Sequence, residues 1–358
     1  MILDFWPTLE VIAYARLSQA ILYTFNLEFL KRRFMLYLNV HPAYSKAIEE
    51  KVNRRIIPTV VRKKLVAVVT SLGWEMYHWF DCHGHFFQNN NLDLRNKLHW
   101  FSFGIIDRQQ TARNFIQDVN LNIRERFHLA LRYCLEEEVH SLWTNMSPDN
   151  RFQETNRLVR TGTIEMWYRT LHENVPIDWE EIEINGNRNC FGSYLGLRGY
   201  FAKLRGSKSR YLCFYFALKS RLVHHFDLCS CIYQLNAHDE FNAVLTRLSD
   251  LEISESFKIF LHWPFQNRFL DVVTNFQGHI NGHIFYELVY FILFQKLEGW
   301  QDYPYEKLFE GIWNLFPNYE DHVKNDAALY ACAEYVLDNF QNFDRRNYLR
   351  FMEDVIFY

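Results

Sequence analysis

Glycine and proline are scarce in this chain, 13 and 8 among 358 residues. Their scarcity removes the turn chemistry that an all-β sandwich or barrel needs about every ten residues. Also missing is a disulfide pattern. Seven cysteines, an odd number, stand scattered at Cys82, Cys134, Cys190, Cys213, Cys229, Cys231 and Cys332, which in a chain of this length reads as reduced thiols. Met1 to Trp6 carries Asp4 and no cation, and Pro7 and Glu10 interrupt any apolar run, so no secretory signal is expected. The most apolar stretch, Ile284 to Phe294, contains Glu287 and falls short of a membrane span of about 20 residues. An intracellular, cytoplasmic protein is the expectation, in which the sequon Asn145-Met-Ser147 stays silent.

What the chain has is apolar and aromatic mass: 49% hydrophobic residues and 18% aromatics, with 32 Phe, 21 Tyr and 10 Trp. No long disordered segment is expected from such a composition. The length calls for two or three domains, or for an extended array whose core runs along it. The net charge of −3 conceals a gradient: residues 1–72 hold 11 Lys/Arg against 5 Asp/Glu, and residues 234–358 hold 9 against 19. Such polarity steers partners, or simply solvates two surfaces of a long molecule.

Apolar residues recur at spacings of three and four, the period of one helix face. Leu9, Ala13, Leu17, Ala20 and Ile21 form a first stripe, and Leu27, Leu30, Phe34 and Leu38 a second that Pro42 stops. A third, Val61, Leu65, Val68 and Leu72, ends near Gly73. Phe127, Ala130, Leu131, Cys134, Leu135, Val139 and Leu142 form the cleanest. Near the end, Asn325 or Asp326 caps a helix carrying Leu329, Cys332, Ala333, Val336, Leu337 and Phe340. Short polar links between stripes predict antiparallel helix hairpins. The pairs Arg126-Phe127 with Val139-His140 and Arg210-Tyr211 with Val223-His224 repeat 84 residues apart, which suits two helix-pair repeats of about 42 residues.

One stretch departs from this pattern. Ile182 and Ile184 alternate and lead into Asn185-Gly186, predicting a short β-hairpin over 179–191 or an irregular link. The expected organisation is therefore an N-terminal helical block over 1–176, a link with a basic loop over 177–206 and a C-terminal helical block over 207–358, or one continuous array. The fold class is all-α, with hairpins stacked as a degenerate solenoid. The phrases Ala130-Leu-Arg-Tyr-Cys-Leu-Glu-Glu-Glu-Val139 and Trp263-Pro-Phe-Gln-Asn-Arg-Phe-Leu-Asp-Val-Val273 resemble those of uncharacterised animal proteins built of degenerate ankyrin-like helix pairs. The likeness runs through most of the chain, without the Thr-Pro-Leu-His signature of a standard ankyrin repeat. The resemblance implies a binding scaffold and transfers no catalytic residue.

Several clusters bear on chemistry. His78, Cys82, His83 and His85 gather zinc-type ligands at a helix end, but they lack a second ligand pair at a recognisable distance; the alternative is ordinary helix residues and a frayed turn. His224, His225, Cys229 and Cys231 do not converge on one face and read as core packing. Glu137-Glu138-Val-His140 has the Glu-x-x-His spacing of di-metal bundles without a second copy. His279 and His283 are separated by Asn281-Gly282, which reads as a helix start, and Ile280 stands where a zincin needs Glu. No Gly-x-Ser-x-Gly elbow or phosphate-binding loop is present.

Lys31, Arg32, Arg33, Arg62, Lys63 and Lys64 supply a basic surface, the footprint a nucleic acid needs, in a chain whose overall balance is slightly acidic. The reading favoured is a non-catalytic protein-interaction scaffold that uses no cofactor. Its contact surface is placed on Trp263, Trp300, Tyr303, Tyr305 and Trp313, since Trp and Tyr anchor interfaces. A metal-dependent enzyme using the His78 cluster and a nucleic-acid binder are the alternatives.

Overall fold

A computed structural model of the chain describes residues 7–26, 35–36, 39–40, 42–83, 94–158, 165–173, 175–177, 179, 195–219, 223–235 and 238–357. They are overwhelmingly helical, and no helix among them is long and apolar enough to cross a membrane. The hairpin expected over 179–191 lies outside the described residues apart from Trp179. The chain divides into two compact units: Met1–His78 with Ser102–Ile105 and Ala237–Tyr358, and Trp79–Phe101 with Ile106–Asn236. That division differs from the blocks expected on either side of 177–206. The first unit takes residues from both ends of the chain, an association set by packing that linear order does not reveal.

In the first unit, α1 (Leu9–Leu22) starts at Thr8, whose hydroxyl accepts from the Val11 amide, as an N-cap does. Its buried face differs from the expected stripe. Leu9 is 86% exposed, while Ala15 and Ser18 are fully buried. Small residues face inward because Gly104 approaches closely: at φ +87, a Cβ on it would stand 3.1 Å from that of Ala15 and 3.0 Å from Leu72. The stripe of Leu27, Leu30, Phe34 and Leu38 lies outside the described residues; beside it a two-residue antiparallel ladder forms, β1 (Met35–Leu36) with β2 (Asn39–Val40), pairing Met35 with Val40. Pro42, expected to stop a helix, begins one, α2 (Pro42–Asn53). A first-turn proline sacrifices no intrahelical hydrogen bond.

The third stripe continues past Gly73. Helix α3 (Thr59–His83) runs 25 residues, burying Leu65, Val68, Leu72 and Met76 completely.

In the second unit lie α4 (Arg108–Ile116), α5 (Ile123–Arg132), α6 (Glu136–Asn145), α7 (Pro148–Leu158), α8 (Glu165–Glu173), α9 (Leu197–Phe201), α10 (Ser207–Lys219) and α11 (His225–Gln234). The cleanest sequence stripe proves to be two helices. Cys134 takes φ +53, the Leu135 amide donates to Ala130 O over 3.0 Å and the Cys134 amide to Leu131 O over 3.2 Å. These are the paired bonds that close a helix with a left-handed residue. α5 and α6 pack against each other as a hairpin around Phe127, Ala130 and Val139, all fully buried. Burying side chains the size of Phe127 or Val139 stabilises the fold by about 2 kcal/mol each.

The first unit resumes with α12 (His238–Leu245), α13 (Asp250–Lys258), α14 (Phe269–Asn275), α15 (Gly282–Tyr290), α16 (Tyr305–Leu315), α17 (Glu320–Lys324), α18 (Ala327–Asp338) and α19 (Arg345–Phe357). Asn281 caps α15, its Oδ1 accepting from His283 and Ile284 amides at 3.0 Å each, and His279 stays outside that helix, as the sequence suggests. The His322 ring packs directly on Gly282, where any Cβ would collide with it. Asp326 caps α18 by accepting from the Leu329 amide. Leu329, Cys332, Ala333 and Val336 are buried, and α18 packs on α19.

Candidate functional site

Within the first unit, a groove of about 840 Å³ opens between α2, α3, the link 299–301 and the start of α19. Helical spacing assembles its walls. Ser45, Glu49 and Asn53 recur every fourth residue on α2, and Thr59, Arg62, Lys63, Val66, Ala67 and Thr70 follow one face of α3. The opposite wall is Trp300 and Gln301 with Phe343, Asp344, Arg345 and Arg346. Four cations thus stand against two carboxylates.

Two of the guanidinium groups are held in place. Arg62 donates to Ile57 O over 2.9 Å. Arg345 donates through Nε to Leu297 O over 2.7 Å and through a terminal nitrogen to Glu298 O. Burial pulls the Arg345 pKa down, with Glu298 opposing. Asp344 is engaged at the N-terminus of α19, its Oδ1 accepting from the Arg346 amide at 2.7 Å and the Asn347 amide at 3.2 Å. The Asn347 and Arg346 amides hold its carboxyl below the usual range.

Trp300 has a second face. Its ring lies 5.5 Å from Nζ of Lys296, which is 3% exposed and also faces the rings of Phe291 at 5.4 Å and Tyr305 at 5.8 Å. Lys296 ends a π-helical segment, Phe291–Lys296, a distortion common at functional positions. Nearby, buried Asp302 accepts at Oδ2 from Ser71 and Gln266, both at 3.0 Å, and at Oδ1 from the Tyr305 hydroxyl at 3.0 Å. Burial pulls the Lys296 ammonium down to about 8 against the pull of Asp302, and burial pushes the Asp302 carboxyl up against the pull of Lys296. A lysine so placed holds a larger neutral fraction at physiological pH than an exposed one. It is enclosed, however, so ligand contact belongs to the groove on the other side of Trp300.

The second unit holds a polar interior of its own. The His83 ring stacks on Trp79 at 4.2 Å, lies 2.6 Å through Nδ1 from Trp79 O and 2.7 Å through Nε2 from the Tyr133 hydroxyl. One neutral tautomer satisfies both contacts: Nδ1–H donates to the carbonyl and Nε2 accepts the phenol proton. Burial raises the Tyr133 pKa well above its usual value, with the Arg108 charge opposing. Arg108 and Asp227, both buried, stand 4.0 Å apart.

The sequence-predicted residues separate accordingly. Of the His78 cluster, His85 lies outside the described residues and both ring nitrogens of His83 are engaged internally; His78 packs its ring 5.9 Å from Trp74, and Cys82 is half-buried. Among the described residues no group of three or more His, Cys, Asp or Glu is placed to hold a metal. Cys229 and Cys231 are buried, which pushes both thiols up, and His224 caps α11 by accepting from the Phe226 amide.

Of the aromatic surface, Trp263 and Tyr305 are interior residues, 8% and 1% exposed. Trp263 donates to Phe103 O over 2.9 Å, and Tyr305 serves Asp302. That surface is reduced to Trp300, Tyr303 and Trp313, all half-buried, of which Trp300 lines the groove. Of the basic surface, Arg62 and Lys63 line the groove, Lys64 faces Glu10 and the Tyr14 ring, and Lys31, Arg32 and Arg33 lie outside the described residues.

Sequence reasoning missed Arg345 and Arg346, which complete the groove's charge from nearly 300 residues away, and missed Lys296. The available signal was the Asp344-Arg345-Arg346 run opening a helix, and a lysine two residues past the chain's most apolar stretch, Ile284 to Phe294. Comparison with protein-family models, curated proteins and solved structures yields no match for this chain, so its function is argued from the groove itself.

Proposed function

We propose that this chain is a non-catalytic interaction scaffold that holds a partner protein in the groove of its first unit. One observation carries the reading: an open groove whose walls come from three separated stretches of chain and two of whose guanidinium groups, those of Arg62 and Arg345, are held by backbone carbonyls before any ligand arrives. Prepositioned donors spare a ligand part of the ordering cost of binding. The hairpins of α5–α6 and α18–α19 suit a degenerate ankyrin-like array, an architecture that presents long binding surfaces. Half-exposed Trp300 supplies an aromatic anchor of the type interfaces favour. A cytoplasmic setting agrees with the reduced state of the buried cysteines Cys229, Cys231 and Cys332, which form no disulfide.

The test places a photo-crosslinking residue at Gln301 or Thr59 in the groove, and at Leu251, 60% exposed and outside it. The reading expects a protein crosslinked from both groove positions and not from Leu251, whose recombinant form then binds the unmodified chain. Crosslinks that are equal at Leu251, or absent from the groove, overturn it.

A further inference from the structure

We infer that the segment held in this groove is an extended acidic peptide in the register acid–x–apolar, with its carboxylate against Arg62 and Lys63 and its apolar side chain against Val66 and Ala67. The inference rests on the scaffold reading above and specifies the partner's chemistry.

The register follows from two periodicities. Along α3 the lining residues change character turn by turn: the cations Arg62 and Lys63, then the apolar Val66 and Ala67, then Thr70. From Arg62 to Val66 is four residues, about 6 Å along a helix. In an extended peptide, side chains on one face recur every second residue, about 7 Å apart. An acid and an apolar residue separated by one position therefore meet the cationic and apolar turns together. The α3 wall from Thr59 to Thr70 is about 16 Å long, which accommodates about five extended residues.

Charge chooses the class of ligand. Arg345 and Arg346 face the groove from the other wall, giving four cations against Glu49 and Asp344. Arg345 already bears the cost of partial desolvation, which a ligand carboxylate offsets. A nucleic-acid strand fits less well. Its charge repeats at every phosphate and asks for a continuous basic stripe, whereas α3 turns apolar after one cationic turn and two carboxylates share the site. Asn53, Gln301 and Thr59 supply hydrogen-bonding side chains for the peptide backbone, as amides and hydroxyls do.

Fluorescence anisotropy on the full chain tests this with four probes: a labelled hexapeptide containing Glu-Ser-Leu, its Gln-Ser-Leu analogue, a permuted peptide with Glu and Leu adjacent, and oligothymidylate. The expected result is salt-sensitive binding of the first probe, roughly tenfold weaker for the second and third, consistent with loss of one charged contact or of register. Arg62→Glu and, independently, Arg346→Glu weaken it by a similar factor while helical circular dichroism stays unchanged; Arg346 is exposed, so at least one variant keeps its fold. Equal binding of the glutamine analogue, tighter binding of oligothymidylate, or no binding of the acidic peptide overturns the inference. A partner crosslinked in the groove through a basic or neutral segment sinks the acidic reading alone, whereas no groove partner at all sinks the scaffold reading with it.

Discussion

Cys134 holds a backbone conformation that costs an L-residue with a Cβ about 1 kcal/mol and glycine nearly nothing. It is the left-handed residue that ends α5 and turns the chain into α6. Cys134→Gly is therefore expected to raise stability by up to about 1 kcal/mol, read as a higher denaturant midpoint at unchanged slope; a lower midpoint would show that the thiol's packing outweighs the strain. Nothing in the three-and-four spacing betrays this break, because Leu135 and Val139 fall on the same periodic face whether or not the helix continues.

Lys296 gives a second expectation at this scale. Its folded pKa is lowered from 10.5 to about 8, so between those values the unfolded chain binds more protons and stability rises with pH. The full rise attributable to this group is on the order of 3 kcal/mol. The difference in unfolding free energy between the wild type and Lys296→Met, followed from pH 7.5 to 10, should grow in favour of the wild type; a constant difference would mean that the amine is not desolvated. Taking the difference removes the buried tyrosines, whose raised pKa values act on both proteins alike. The groove itself was half legible. Arg62, Lys63 and Trp300 stand out in the sequence, but nothing there places Arg345 and Arg346 opposite them.

Elements whose ends carry side-chain caps are where sequence and structure agree best. Asn281 and Asp326 are recognisable as helix starts because their carboxamide and carboxylate satisfy amides that would otherwise lack partners, and both caps form. Asn281→Ala should cost about 1 kcal/mol and raise amide exchange in the first turn of α15; unchanged exchange at Ile284 would show that the cap is dispensable.

Agreement fails where packing overrides local pattern. α1 buries Ala15 and Ser18 in place of Leu9 because Gly104 and Leu72 leave room only for small side chains there. Gly73 does not end α3, since a glycine inside a helix costs only about 1 kcal/mol and the buried stripe of α3 outweighs it. Pro42 reads from sequence as a helix stop, yet it stands at the first position of α2, where its missing amide costs nothing.

At the scale of the whole molecule the two units should respond to acid with opposite signs. In the second unit, burial pushes the Glu154 carboxyl up, but the His128 ring 2.9 Å from it and a hydrogen bond from Arg124 outweigh that push and the net shift is downward. Asp118 is likewise lowered, first by the Asn120 amide and then by Lys97. A carboxylate with a depressed folded pKa contributes stability above its unfolded value, and the contribution disappears as pH falls through the folded pKa.

In the first unit, the buried groups shift the other way: burial raises Asp302 and Glu306. For them the unfolded chain is the stronger acid, so protonation favours the folded form and acid restores stability that neutral pH withholds. The lowered Asp344 opposes this from an exposed position, where solvent screening leaves it little weight. Hydrogen exchange followed by mass spectrometry from pH 7 down to 3 should therefore show peptides within Ile123–Leu158 losing protection before those within Gly282–Leu315. Glu154→Gln should blunt the pH dependence of the former and leave the latter unchanged. Simultaneous loss in both regions, unaltered in the variant, would show that general charge repulsion, and not these particular carboxylates, sets the acid limit of the fold.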